Sequence, residues 1–186
     1  MMAYPSKIDR AAILAAAAEQ LDRVGVEQLS LRSLAAQLGV APNALYRYFA
    51  DRAHLQAALA SHGAEVLLGL LRKAAGKKAP ESAIRAMAAA YLRFARERRS
   101  LHAVAMMRCD WSHEDAKGHE QLWLFFVSQI ARIAGEAKAG EAGVALWAFL
   151  RGIAELEAAE IFSEEKPASS LEFGIEAWLA AATSQR

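Results

Sequence analysis

"LAAQLGVAPNALYRYFADR", residues 34–52, places two tyrosines and a phenylalanine within four consecutive residues, Tyr46 to Phe49. Leu45 and Phe49 lie four apart, so on a helix they share a face and can both be buried. Tyr46, Arg47 and Tyr48 then project elsewhere. Upstream, Ser30 can cap a short helix over residues 31–38, and Gly39 ends it. Downstream, Pro42 suits the first turn of a second helix, over residues 42–49, because its missing N–H would be unpaired there anyway. Two helices joined so tightly need a small residue where they cross, and Ala35 fills that place, with Gly39 at the turn. Leu34, Leu38, Val40 and Leu45 fill the space between. Such a helix-turn-helix leaves one side of its second helix free to enter a major groove.

The outward residues then acquire a purpose. A tyrosine offers a hydroxyl to a phosphate oxygen and a flat ring to a sugar or a thymine methyl. Arg47 can reach a guanine edge or a phosphate. Residues 28–50 contain two arginines and no acid, a setting that favours a polyanion. The competing reading, a plain amphipathic pair whose tyrosines pack on their neighbours, leaves this charge pattern without a reason.

The remainder of the chain reads as helices. Apolar residues make up 55% of the 186, enough for a real core, and four prolines and eleven glycines argue against disorder. Helices are expected over residues 8–24, 51–75, 80–98, 100–109, 117–137, 141–163 and 169–182, with no strand. Asp51 and Ser100 are the expected caps of the second and fourth of these, and "CDWSHEDAKG", residues 109–118, is expected as a polar loop. The fold class is therefore all-α. A helix-turn-helix domain over residues 1–50, with a connecting helix over 51–75, precedes a larger helical domain over 76–186, the break falling at "AAGKKAPE". The single Cys109 excludes an internal disulfide and suits a reducing cytoplasm. The opening residues are polar and charged, unlike a secretory signal, and no uncharged run is long enough to span a membrane. From residue 139 onward eight acids face three bases, so the two ends of the molecule are expected to meet different partners.

At "LSLRSLAAQLGVAPNALYRYFADRAHLQAAL", residues 29–59, the chain closely resembles the DNA-binding segment of the TetR family of bacterial regulators. The matching skeleton is Leu31, Leu34, Ala35, Leu38, Gly39 and Val40, then Leu45, Tyr46, Tyr48, Phe49, Arg52 and Leu55. The resemblance covers residues 7 to 60 and implies a homodimer on a double-stranded DNA operator, with a second domain for a small-molecule effector and for dimerisation. It departs at Ala41 and Ala44, where that family usually carries hydroxyl residues for capping or phosphate contact. Phosphate anchoring then falls on Arg32, Tyr46 and Arg52, base reading on Arg47 and Tyr48, and Asn43 adds a contact at the helix start. "LWAFLRGIAELEAAEIF", residues 146–162, resembles a C-terminal subtype named for a Trp, His and Gly pattern. Trp147 and Gly152 fit it, while Arg151 stands where the histidine is expected.

Candidates for the effector site are His102, Met106, Trp111, Trp123, Phe126, Trp147, Arg151 and Glu155. Aromatic rings and flexible thioethers suit an adaptable apolar pocket, and they also suit an ordinary core. Arg151 and Glu155 are spaced i, i+4, either as an ion pair on a solvated or dimer face or as a polar anchor for an acidic or carbonyl-bearing guest. Cys109, His113, Glu114, Asp115, His119 and Glu120 lie close in sequence, yet their spacing fits no zinc arrangement. No phosphate loop, nucleophile elbow or HExxH helix is present, so neither catalysis nor a cofactor is expected. A helical small-molecule-binding or interaction module without operator binding is the rival. Dimerisation is assigned to the last two helices, through Leu146, Phe149, Leu150, Ile153, Leu156, Leu171, Ile175, Trp178 and Leu179.

Overall fold

The computed structural model describes residues 8–107, 113–161 and 167–184. Among these residues the chain forms only helices: α1 (Arg10–Val24), α2 (Leu31–Gln37), α3 (Pro42–Tyr46), α4 (Arg52–Ala75), α5 (Pro80–Glu97), α6 (Arg99–Ala105), α7 (His113–Ala134), α8 (Ala139–Ala158) and α9 (Pro167–Thr183). None is long and apolar enough to cross a membrane. The chain divides into two compact units, Met1–Ala64 with Arg98–Gly118, and Glu65–Glu97 with His119–Arg186. The division falls inside α4 and assigns α6 to the first unit, elsewhere than at the "AAGKKAPE" break that composition suggests.

The first unit buries Ile13, Ala17 and Leu21 of α1, Leu34 and Ala35 of α2, Leu45, Phe49, and Leu55 and Leu59 of α4. Apolar side chains recurring at i, i+3 and i+4 supply that core. Helix α6 packs on α1. Its N-cap residue, Arg98, offers no side-chain cap. Asp22 of α1 serves instead: one carboxylate oxygen accepts from the Leu101 N–H at 3.3 Å, and the other is paired with the Arg98 guanidinium. A Cβ built on Gly63 of α4 would lie 2.8 Å from the Ala105 Cβ, so only glycine permits α6 to approach α4 this closely. Ser100 is therefore not the cap that the sequence suggests; the carboxylate comes from another helix.

The second unit buries Leu67, Leu71, Ile84, Tyr91, Phe94, Phe126, Ile130, Leu146, Leu150, Ile175 and Leu179. Helix α8 packs on both α5 and α9. Arg96 holds Glu157 with two charge-assisted hydrogen bonds, at 2.8 and 2.6 Å, which raise the ionisation of the guanidinium above its ordinary value. Two expected elements change here. Helix α7 starts at His113, inside the stretch read as a loop, which holds acidic residue types favoured in a first helical turn. Helix α8 ends at Ala158 because Glu160 takes a left-handed backbone, φ 53°, and the N–H groups of Ile161 and Glu160 bond back to the carbonyls of Leu156 and Glu157.

Candidate nucleic-acid interface

The reading element is α2, the turn at Gly39, and α3. Ser30 caps α2 by accepting from the Ser33 N–H at 3.1 Å, and the Ser33 hydroxyl reaches back to the Ser30 backbone. At the other end Gly39 adopts φ +65°, which lets the Val40 N–H reach Ala35 O at 3.0 Å and the Gly39 N–H reach Ala36 O at 3.2 Å. Both orphan carbonyls are thereby satisfied, and the chain reverses within two residues. Helix α3 starts with Pro42 behind an Ala41 cap that has no side-chain hydrogen bond. It is shorter than the sequence suggests. After Tyr46 the chain tightens, and the N–H groups of Tyr48 and Phe49 both bond to Leu45 O. Leu45 and Phe49 are fully buried, and this is what turns the intervening residues outward.

The expected DNA-contacting residues fall into three groups. Arg32, Tyr46 and Arg52 line one open cleft of about 260 Å³, together with Ser30, Leu31, Ala50 and Asp51. These are the three residues assigned to phosphate by sequence, brought to one place by three different elements. The Asp51 carboxylate accepts from the His54 N–H at 2.8 Å and so caps α4. Arg52 is 45% exposed, and it also donates to Val26 O at 2.7 Å and stands 4.0 Å from Glu27. Its guanidinium is therefore aimed by the loop between α1 and α2.

Asn43 and Arg47 form the second group. Both are exposed on α3 and its C-terminal turn. Among the described residues neither has an ion pair that would have to be broken before it met a base edge or phosphate.

Tyr48 stands apart. It is half-buried, and its hydroxyl donates to the Ile8 carbonyl at 2.6 Å, tying the end of the recognition helix to the residues that precede α1. Arg10 adds to this anchor, its guanidinium 5.4 Å from the centroid of the Phe49 ring. Neither contact carries a sequence signature, since both partners are close only in the folded chain.

The effector candidates do not gather in the same way. In the second unit Trp147 meets Tyr91, Trp123 and Phe126, and Trp123 meets Phe126, with ring centroids 5.2–6.4 Å apart and mostly edge-to-face. Burial pushes the Tyr91 hydroxyl's ionisation well above its ordinary range; Arg151 opposes that shift and Glu155 adds to it. Arg151 and Glu155 are both exposed and lie 3.8 Å apart on one face of α8. His102 is buried and Met106 half-buried in the first unit. Trp111 and Cys109 lie outside the described residues, as do the side chains of His113, Glu114 and Asp115. Asp22, which tethers α6, was not singled out by any motif.

Residues 13–59 match the family described as bacterial regulatory proteins, tetR family, and residues 84–178 match one described as tetracyclin repressor-like, C-terminal domain. A curated relative, the HTH-type transcriptional regulator YobS of Bacillus subtilis (strain 168), is 29% identical over 169 residues, covering 90% of this chain and 88% of its own. Among solved structures, a protein of unknown function from Rhodococcus sp. RHA1 is 25% identical, with a TM-score of 0.80 and 96% of each chain covered. A TetR variant from Acinetobacter baumannii AYE in complex with minocycline is 22% identical, with a TM-score of 0.67 over 94% of this chain and 96% of that one.

Proposed function

The chain belongs to the TetR family and is a DNA-binding transcriptional regulator, not an enzyme; from that premise we propose that it is a repressor which works as a homodimer and leaves its operator when a small apolar or amphipathic effector binds. The observation that carries the DNA half is the cleft shared by Arg32, Tyr46 and Arg52, which sits beside the exposed Arg47 and Asn43. A phosphate held in that cleft fixes the register of α3, and Arg47 and Asn43 then stand at the base edges. Tyr48 positions the helix from behind. Residues 1–50 act as the DNA-binding domain and residues 76–186 as the domain for effector and dimer.

The effector half draws on the second unit. Its aromatic group offers adaptable, flat apolar surface, with Tyr91 as a polar handle. The TetR structure with minocycline bound is a precedent for a guest in this fold. Arg151 and Glu155 are assigned to the surface, where they answer one another. Two recognition helices on one face of B-DNA must stand about 34–36 Å apart. An effector that tilts α4 spreads them, and coupling of about 1–3 kcal/mol lowers operator affinity by about 5–150-fold.

The test is titration of a labelled duplex from the protein's own promoter region at several salt concentrations, with and without ligands found by thermal shift. Specific, salt-sensitive binding that a ligand weakens is the expected result. Specific binding that no stabilising ligand alters refutes release by an effector, and absence of specific binding refutes the operator reading.

A further inference from the structure

Helices α8 and α9 run antiparallel in the second unit. The Trp178 indole N–H donates to Ala142 O at 2.9 Å, while Gly174 sits directly under the Phe149 ring. Four of the nine residues that the sequence offers for dimerisation are used inside the protomer: Leu146, Leu150, Ile175 and Leu179 are all at most 5% exposed. Those four belong to the protomer's own core, which corrects their assignment to the dimer face, while Leu156 stays exposed and Trp178 lines a surface cleft.

A different face is left open. On α9, Phe173, Ala177, Ala180, Ala181 and Ser184 are exposed, at helical spacing and without a charge. On α8 and the residue after it, Ala145, Ala148, Leu156 and Ala159 are exposed, flanked by the exposed Arg151–Glu155 pair. Phe173 is 78% exposed, an expensive place for a large ring. On the same pair of helices lies a cleft of about 220 Å³, lined by Ala142, Ala145, Trp178 and Ala181, with Lys138 and Glu141 at the rim. Those two rim charges neutralise each other at 3.1 Å.

We propose that Phe173 of one protomer seats in this cleft on a second copy of the chain, so that two such insertions lock the homodimer. The inference rests on the homodimer reading given above and adds its register. Phe173 and Ala181 are eight residues apart, about 12 Å along the helix. A two-fold axis beside Ala177 therefore brings each Phe173 over the partner copy's cleft, as an isologous interface requires. Ala177 and Ala180 lie between knob and hollow and let the backbones approach closely. The ring would meet Trp178 at the cleft wall. A foreign partner would have to carry its own matching knob and hollow at this separation; a second copy has both. Two helices about 25 Å long, side by side and about 20 Å across, cover roughly 500 Å² per protomer, and the roughly 1,000 Å² total stands at the lower bound of a biological interface.

The experiment is sedimentation velocity on the full chain from nanomolar to micromolar concentration, comparing wild type with Phe173→Ala, Phe173→Glu and the cleft-filling Ala145→Phe, with circular dichroism to check folding. Wild type should be a dimer. Each Phe173 variant should stay folded, since the side chain is exposed, and each should raise the dimer Kd by about a hundredfold, because two aromatic anchors are lost per dimer. Ala145→Phe should weaken the dimer while leaving Phe173 intact. Folded Phe173 variants that dimerise like wild type overturn the insertion and leave the homodimer standing. A wild type that is monomeric at micromolar concentration overturns both.

Discussion

Replacing Tyr48 by Phe removes one oxygen from the turn that follows α3 and separates two roles for that residue. In the folded protein the hydroxyl donates to Ile8 O at 2.6 Å, forty residues away in sequence. A net hydrogen bond of this kind contributes about 0.5–1.5 kcal/mol. Both partners are half-buried, so water replaces part of it, and about 1 kcal/mol is the expected loss. For a chain of this length that lowers Tm by about 2–4 °C. Arg10 over the Phe49 ring remains, so the start of α1 loosens without detaching. Thermal unfolding without DNA measures the first effect. Fluorescence anisotropy on the operator and on single-base variants measures the second. Because the hydroxyl tethers α1 and not a base, the loss of affinity should be similar for every base variant. An unchanged Tm, together with lost discrimination at a single base pair, would refute this reasoning and return the hydroxyl to the DNA.

Arg47→Ala should leave Tm unchanged but cost about 1–3 kcal/mol of operator affinity, with specificity relaxed at one position, as competition with base variants would show. Asp22→Ala removes both the Arg98 partner and the acceptor of the Leu101 N–H; about 2–3 kcal/mol should be lost in a urea melt, with faster amide exchange at Leu101, and Asp22→Asn should recover part of it. Tyr91 is held neutral by burial, so its folded-state ionisation lies above that of the unfolded chain. Its contribution is fully present below the unfolded pKa of about 10 and is lost as pH rises beyond it, with a slope approaching about 1.4 kcal/mol per pH unit; Tyr91→Phe should flatten that alkaline limb in denaturant melts.

Local signals carried the reading head. Ser30, Ala35, Gly39 and Pro42 each specify a backbone event within four residues of themselves, and Leu45 and Phe49 fix the buried side of α3 by spacing alone. From these the helix-turn-helix, the exposure of Arg47 and Asn43, and the family were legible in the sequence, as was the all-helical class. The sequence could not say that Arg32, Tyr46 and Arg52 share one cleft, that Tyr48 is tied to Ile8, or that Asp22 caps a helix some eighty residues on. Those contacts join elements distant in the chain and leave no periodic trace. The last two helices show the same limit in another form. Helix α8 is apolar on more than one face, so hydrophobic spacing cannot tell which stripe serves the protomer's own core. Packing against α5 and α9 decided it, burying Leu146, Leu150, Ile175 and Leu179 and leaving Phe173 outside. Periodicity is written into one helix at a time, whereas burial is decided only when a second helix arrives to cover one face and not the other.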